Sequence, residues 1–215
     1  MRILAIETSG ATFSLALAEN NRIILEKFWK SALKHSEKLI PALKQLLKKA
    51  KWKISSIDKI AVSTGPGSFT GIRVGLSCAK TMAQVLDIPI VGIDTIEILR
   101  ASMPEKGHNV IGVIDALRNE VFVKNKNGKI VLKNNEDYWK ELKSLNSKFC
   151  ILGNASITYK NEINNILKKY AIINSSDFNY PKAGVLALMA EKLNGKNYRL
   201  IEPLYIRRSW AEEKK

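Results

Sequence analysis

Hydrophobic and polar positions follow two distinct periods along residues 1–104. Residues 2–7 are a strand-like, mostly apolar run that ends in Glu7-Thr8-Ser9-Gly10, a turn signal. Residues 12–18 and 22–29 read as strands joined at Glu19-Asn20-Asn21, a hairpin connection. Over residues 36–50 the spacing becomes helical, with Leu39, Ile40, Leu43, Leu46, Leu47 and Ala50 on one broad stripe. Pro41 fits that helix only near its beginning or at a kink. A strand (59–63), a glycine-rich loop, a helix (about 69–86), a strand (88–93) and a short helix (94–101) complete this half.

The second half begins by repeating the first. Val110–Ile114 is a buried-type strand ending in Asp115, much as Ile3–Ile6 ends in Glu7. A turn, a strand (120–124), an Asn127-Gly128 hairpin and a strand (129–132) follow. A helix (135–145), a strand (148–152), a helix (160–169), a strand (170–173) and a helix (182–193) come next. Three antiparallel strands followed by helix–strand units imply a mixed sheet with helices on its faces. Their recurrence implies a duplication. The expected class is therefore α/β, in the duplicated bilobal plan of the actin, Hsp70 and sugar-kinase superfamily (RNase H-like halves). Residues 1–104 form the first lobe and 105–215 a smaller second lobe, linked at Met103–Gly107, with the tail from about 196 returning to the first.

Charge changes the picture in one place. The chain carries 35 Lys and Arg against 20 Asp and Glu, a formal +15. Residues 27–53 hold nine lysines and one acid, Glu37, so this stretch alone is +8. Only 8 of the 35 bases are arginine, the residue suited to bidentate phosphate or base contacts. A lysine-rich solvated surface and attraction to an RNA-bearing assembly are both open readings. No apolar run reaches the roughly 18 residues of a membrane span, and the start lacks a signal peptide's apolar stretch. The composition predicts a soluble, cytoplasmic, basic protein.

Candidate chemistry is sparse. Glu7-Thr8-Ser9 sits where the first strand turns into its hairpin; in an actin-like plan such a turn approaches nucleotide phosphates, and its acid helps hold a hydrated magnesium ion. Asp115 is the counterpart, expected to face it across a cleft. The plainer alternative is that each acid ends a strand and satisfies turn amides. Gly65-Pro66-Gly67-Ser68-Phe69-Thr70-Gly71-Ile72-Arg73 lies between a strand and a helix, so its amides can point toward an anion. It lacks the Lys and Ser or Thr of a Walker loop and the spacing of a dinucleotide fingerprint. Three glycines and a proline in seven residues nevertheless imply a close fit. Gly71, Gly75, Ala79 and Ala83 then leave one helix face almost without side chains. Two helical glycines cost on the order of 1 kcal/mol each relative to alanine, so close packing is implied, either on the chain's own sheet or on a partner's helix. His35 and His108 are 73 residues apart and form no helical metal pair. Cys78 and Cys150 read as core thiols. No spacing suggests a nucleophile–base arrangement.

Five segments taken in order, Met1–Ser9, His35–Pro41, Gly65–Arg73, Ile114-Asp115 through Glu120–Phe122, and Glu202–Arg207, resemble the TsaB (YeaZ) family. Members are accessory subunits of bacterial tRNA threonylcarbamoyladenosine synthesis. Gly65–Arg73 is the most specific part of the likeness. Residues 125–180 match loosely, and Leu117 and Asn119 stand where the family often has Arg and Gly. The resemblance implies an actin-like fold and a complex with the catalytic paralogue TsaD and the ATPase TsaE, which transfers threonylcarbamoyl to the adenosine beside the anticodon. It places the metal-binding histidines, the ATP and the metal on the partner subunits, leaving this chain without a cofactor of its own. It also implies pairing, with the paralogue or as a homodimer, through helices 36–50 and 69–86.

The expectation is a non-catalytic scaffold whose partner face comprises Leu39, Leu43, Leu46, Gly71, Gly75, Ala79 and Ala83. Lysines border that face and add to the field that attracts tRNA. Peptidase labels attached to such proteins find no metal or nucleophile in this sequence. The alternatives are a self-sufficient ATP-dependent phosphotransferase, which needs Glu7 and Asp115 to organise Mg-ATP, and an independent RNA-binding module.

Overall fold

The computed structural model describes residues 1–30, 35–103, 109–173 and 176–207. The linker residues Pro104–Gly107, together with His108 and the side chain of His35, lie outside the described residues. The chain divides into two compact units, Met1–Ile98 with Lys182–Leu204, and Leu99–Pro181 with Tyr205–Lys215.

The first unit is built on five strands: β1 (Arg2–Glu7), β2 (Thr12–Glu19), β3 (Arg22–Lys30), β4 (Lys59–Ser63) and β5 (Ile90–Ile93). Their order is β3-β2-β1-β4-β5. β1 runs antiparallel to β2 and parallel to β4, so the sheet is mixed. Period-two alternation sends Leu4, Ile6, Phe13, Leu15, Leu17, Ile60 and Val62 to one face, where α1 (His35–Ala50) and α2 (Phe69–Leu86) cover them. Pro41 sits in the second turn of α1, where it forgoes the backbone bond to the Glu37 carbonyl.

The opposite face is lined by Ile3, Ala5, Ala16, Ala18 and Ala61 and is covered by α7 (Ala183–Glu191) through Ala183, Leu186, Ala187 and Ala190. Small residues on both sides let this helix lie close to the sheet. Its ends are tied there too. The Ala183 amide donates to Ser14 Oγ (2.8 Å) and the Gly184 amide to Glu26 Oε1 (2.8 Å). At the far end the buried Lys59 Nζ donates to the carbonyls of Ala190 (3.2 Å) and Leu193 (2.8 Å), placing a cation at a helix C-terminus. The return to the first unit therefore begins at Lys182 rather than near residue 196, and the first unit proper ends at Ile98 rather than 104.

The second unit holds α3 (Thr95–Ala101) from its last residues onward, then β6 (Asn109–Gly112), β7 (Ile114–Asp115), β8 (Glu120–Lys124), β9 (Ile130–Asn134), α4 (Asn135–Ser144), β10 (Phe149–Leu152), α5 (Asn154–Thr158), α6 (Lys160–Leu167) and β11 (Ala171–Ile173). The expected single strand over 110–114 is broken at Val113, whose amide turns to the Leu152 carbonyl (2.8 Å). Its first part pairs in parallel with β10, in the order β11-β10-β6; its second pairs antiparallel in the order β7-β8-β9. With β6 and β7 counted as one broken strand, the order β9-β8-β6/β7-β10-β11 repeats that of the first sheet. This is the duplication in topological form. Trp139, Phe149, Ile151, Ile163 and Leu167 centre its core.

Candidate functional site

The C-terminal end of β1 passes into Thr8 and Ser9 under the loop that leads from β4 to α2. All three polar residues of Glu7-Thr8-Ser9 are buried. The Ser9 amide donates to Glu7 Oε1 (2.9 Å), as does the Ser9 hydroxyl (2.5 Å). Glu7 Oε2 is buried without a hydrogen-bond partner. Burial raises the Glu7 carboxyl to about 7, against the smaller opposing effect of the Ser9 hydrogen bonds. The pleat places Glu7 on the face covered by α7, opposite Ser14. Thr8 falls on the other face, and its hydroxyl donates to the Gly71 carbonyl (2.8 Å) in the first turn of α2.

The glycines of the loop have specific occupants above them. A Cβ on Gly67 would stand 2.1 Å from the Ser9 carbonyl oxygen, and the Ser68 amide donates to that same oxygen (2.7 Å). Gly65 has φ +100, and a Cβ there would meet Ile72 Cδ1 at 2.7 Å; the bond from Gly65 to Pro66 is cis. Ser68 caps α2, its hydroxyl accepting from the Gly71 amide (3.2 Å). Two of the amides that an anion would use are thus taken within the chain. Thr70 and Arg73 face outward, and the Arg73 guanidinium lies 3.9 Å from the centre of the Phe69 ring. The loop is a clamp on the β1 turn.

The small-residue face of α2 closes the same clamp. A Cβ on Gly75 would approach Thr8 Oγ1 to 2.1 Å, and Gly71, Ala79 and Ala83 are buried against the chain's own strands. The expectation that Gly71, Gly75, Ala79 and Ala83 meet a partner's helix is corrected here: the surface they free is filled by β1, β4 and Thr8. Leu39, Leu43 and Leu46 of α1 are likewise buried in the first unit's core. The outward residues of these helices are different ones. Ile40 is 45% exposed and Val85 77% exposed, with Val74, Cys78 and Met82 half-buried along α2 at three- and four-residue steps. Burial pushes the Cys78 thiol up to about 11, so it is not a thiolate at neutral pH.

Asp115 in the second unit is also engaged locally. Its Oδ1 accepts from the Leu117 amide (2.8 Å) and the Tyr159 hydroxyl (3.2 Å), and its amide donates to Asn154 Oδ1 (3.0 Å). The turn it starts places Leu117, Arg118 and Asn119 all at positive φ (61, 56 and 59). Arg207 holds the turn's two ends, donating to the Ala116 carbonyl (2.8 Å) and pairing with Glu120. Glu7 Oε1 and Asp115 Oδ1 are each engaged within their own unit. Glu7, Thr8 and Ser9 are buried in the first unit, and apart from Glu7 Oε2 their side-chain oxygens are hydrogen-bonded there, as the plainer strand-end alternative expects. Among the described residues no cluster of three or more His, Cys, Asp or Glu is arranged to hold a metal ion.

Residues 30–183 match the family model described as TsaD, tRNA N6-adenosine threonylcarbamoyltransferase. The tRNA threonylcarbamoyladenosine biosynthesis protein TsaB of Bacillus subtilis is 30% identical over 223 residues, an alignment covering 100% of this chain and 97% of the relative. The chain belongs to the TsaB family. A solved structure from Pseudomonas aeruginosa, described as similar to peptidase YeaZ, superposes with a TM-score of 0.78 at 24% identity, covering 96% of this chain and 99% of that one. A ROK hexokinase from Thermus thermophilus shares the fold alone, with a TM-score of 0.52 at 9% identity over 89% of this chain and all of that one. The α/β class with mixed sheets flanked by helices is thereby established, as is the TsaB resemblance first carried by Gly65–Arg73.

Proposed function

We propose that this chain is the non-catalytic pairing subunit of an assembly that makes threonylcarbamoyladenosine in tRNA, acting in the cytoplasm. It docks on a catalytic paralogue of the TsaD kind, with the ATPase TsaE as a further member. It uses no cofactor of its own; ATP and metal act on the partners. The docking surface is the outward side of α1 and α2, with Ile40, Val85 and the half-buried Val74, Cys78 and Met82 as its apolar part. The isolated chain uses the same side to form a homodimer.

The observation that carries this reading is the closed clamp at Glu7–Ser9. In a chain similar over its full length to TsaB of Bacillus subtilis, the turn that would meet phosphates is enclosed by Gly65–Ser68 and hydrogen-bonded to itself. That disfavours the alternative of a self-sufficient phosphotransferase. It also gives the glycine-rich motif a structural task, which is to hold α2 in place on the sheet. The test is reconstitution with the paralogue, TsaE, ATP and tRNA, omitting each protein in turn. Modification that requires this chain, combined with no ATP hydrolysis by the chain alone, supports the reading. Hydrolysis by the isolated chain that is lost in Glu7→Ala overturns it.

A further inference from the structure

The apolar residues of α1, Leu39, Ala42, Leu43, Leu46 and Leu47, face the sheet. Its solvent side carries Lys38, Lys44, Lys48 and Lys49, all exposed, and exposed Lys51 and Lys53 continue past its end. At about 100° per residue, Lys44 and Lys48 form one row and Lys38 and Lys49 a second, with Pro41 and Gln45 between them. Along the axis, Lys38 to Lys48 spans about 15 Å. Two acids lie close in sequence. Glu37 is in the first turn, and Asp58 is already accepting the Arg2 amide (2.6 Å). Among the described residues none of the six lysines is in an ion pair. The helix dipole gives Lys48 and Lys49 a structural reason to be in the last turn. It gives none to Lys38 or Lys44.

We propose that this lysine ridge is a docking surface for the phosphate backbone of RNA, and that the RNA is the tRNA on which the assembly acts. The proposal rests on the reading given under Proposed function for the identity of that RNA. The chemistry of the ridge argues for backbone rather than base contact. Ammonium groups are compact point charges without the planar fork that reads a guanine edge, and none of the six is arginine. A polyphosphate strand presents a line of anions to a line of cations, which matches two rows along a helix better than an isolated acidic site would. The ridge is the basic part of the outward side of α1, one helical turn from the exposed Ile40, so it adjoins the apolar part of the proposed docking surface.

Counterion release sets the expected size. Six phosphates neutralised give a slope of log affinity against log salt of about −4 to −5, at roughly 0.7 to 0.9 per contact. Reversing Lys44, Lys48 and Lys49 to Glu removes three contacts and reduces that slope by about 2 to 3. The experiment is fluorescence anisotropy of an unmodified tRNA transcript with the full chain, across salt, for the wild type, K44E/K48E/K49E and the milder K44Q/K48Q/K49Q. The paralogue and phosphatidylserine vesicles are titrated in parallel. The expected result is at least a tenfold loss of tRNA affinity at low salt and the lowered slope in the Glu variant, with a smaller loss in the Gln variant. Unchanged tRNA affinity and slope overturn the proposal. So does loss of paralogue or vesicle binding with tRNA binding intact. If the wild type fails to bind the paralogue at all, the pairing role falls instead, and the lysine result stands on its own.

Discussion

Replacing Glu7 by Gln tests the enclosed site by a quantity that pH makes visible. In the folded chain the carboxyl titrates at about 7, because it is fully buried and its Oε2 finds no donor; its ordinary value is 4.5. Below pH 4.5 both folded and unfolded chains hold the proton. Between 4.5 and 7 the folded chain holds a proton that the unfolded chain has released, so stability falls as pH rises, by about 1.4 kcal/mol per unit. Above 7 the loss levels off at about 3 kcal/mol in total. Gln keeps the shape and an acceptor for the Ser9 amide and hydroxyl but cannot ionise. The stability of Glu7→Gln relative to wild type should therefore increase by about 3 kcal/mol between pH 4.5 and pH 8. In a chain of this size that is roughly 6–12 °C in melting temperature. Urea unfolding, followed by exchange protection of the β1 and β4 amides, reads the first unit directly. A wild-type-to-variant difference that is the same at pH 5 and pH 8 would refute the claim that Glu7 is sealed from water in the folded first unit.

Three further predictions follow from the same packing. Gly75→Ala should cost about 1–3 kcal/mol despite alanine's better helix propensity, because the new methyl meets Thr8 Oγ1. In a double-mutant cycle with Thr8→Ala by urea unfolding, at least about 1 kcal/mol of that cost should be recovered. Leu117→Gly should raise stability by about 0.5 kcal/mol, since a 70% exposed leucine at φ 61 is strained and loses little packing, while glycine's added freedom when unfolded offsets part of the gain. Arg207→Ala should destabilise the second unit, with exchange protection falling first at the Ala116 and Glu120 amides, because the turn loses the clamp on its two ends.

The sequence made the elements legible wherever one period dominated. β1, β4 and α2 lie within a residue of their expected bounds, because alternation and the Ser68 cap mark them locally. It was less informative where a partner lay far along the chain. The α7 segment is apolar on most sides, so periodicity could not say which sheet it covers. The alanines of β1, β2 and β4 that receive it are more than a hundred residues away. The break at Val113 depends on a bond to Leu152, again a long-range event. The tight fit of Gly65–Gly75 was visible as an excess of glycine, but not its object. Gly75 reads equally well as room for a partner helix or for a side chain, and only the approach of Thr8 from β1 decides it. The proposed partner face therefore rests not on the residues with the strongest pattern but on those left exposed after the core is filled, Ile40 and Val85 among them.

That move makes docking through the outward side of α1 and α2 the central claim. Calorimetric titration of the catalytic paralogue with wild type and with Val85→Arg tests it most directly, because Val85 is exposed enough to be replaced without disturbing the fold. The account predicts at least a tenfold weaker affinity for the variant with its melting temperature unchanged. Equal affinity for the two proteins would contradict it.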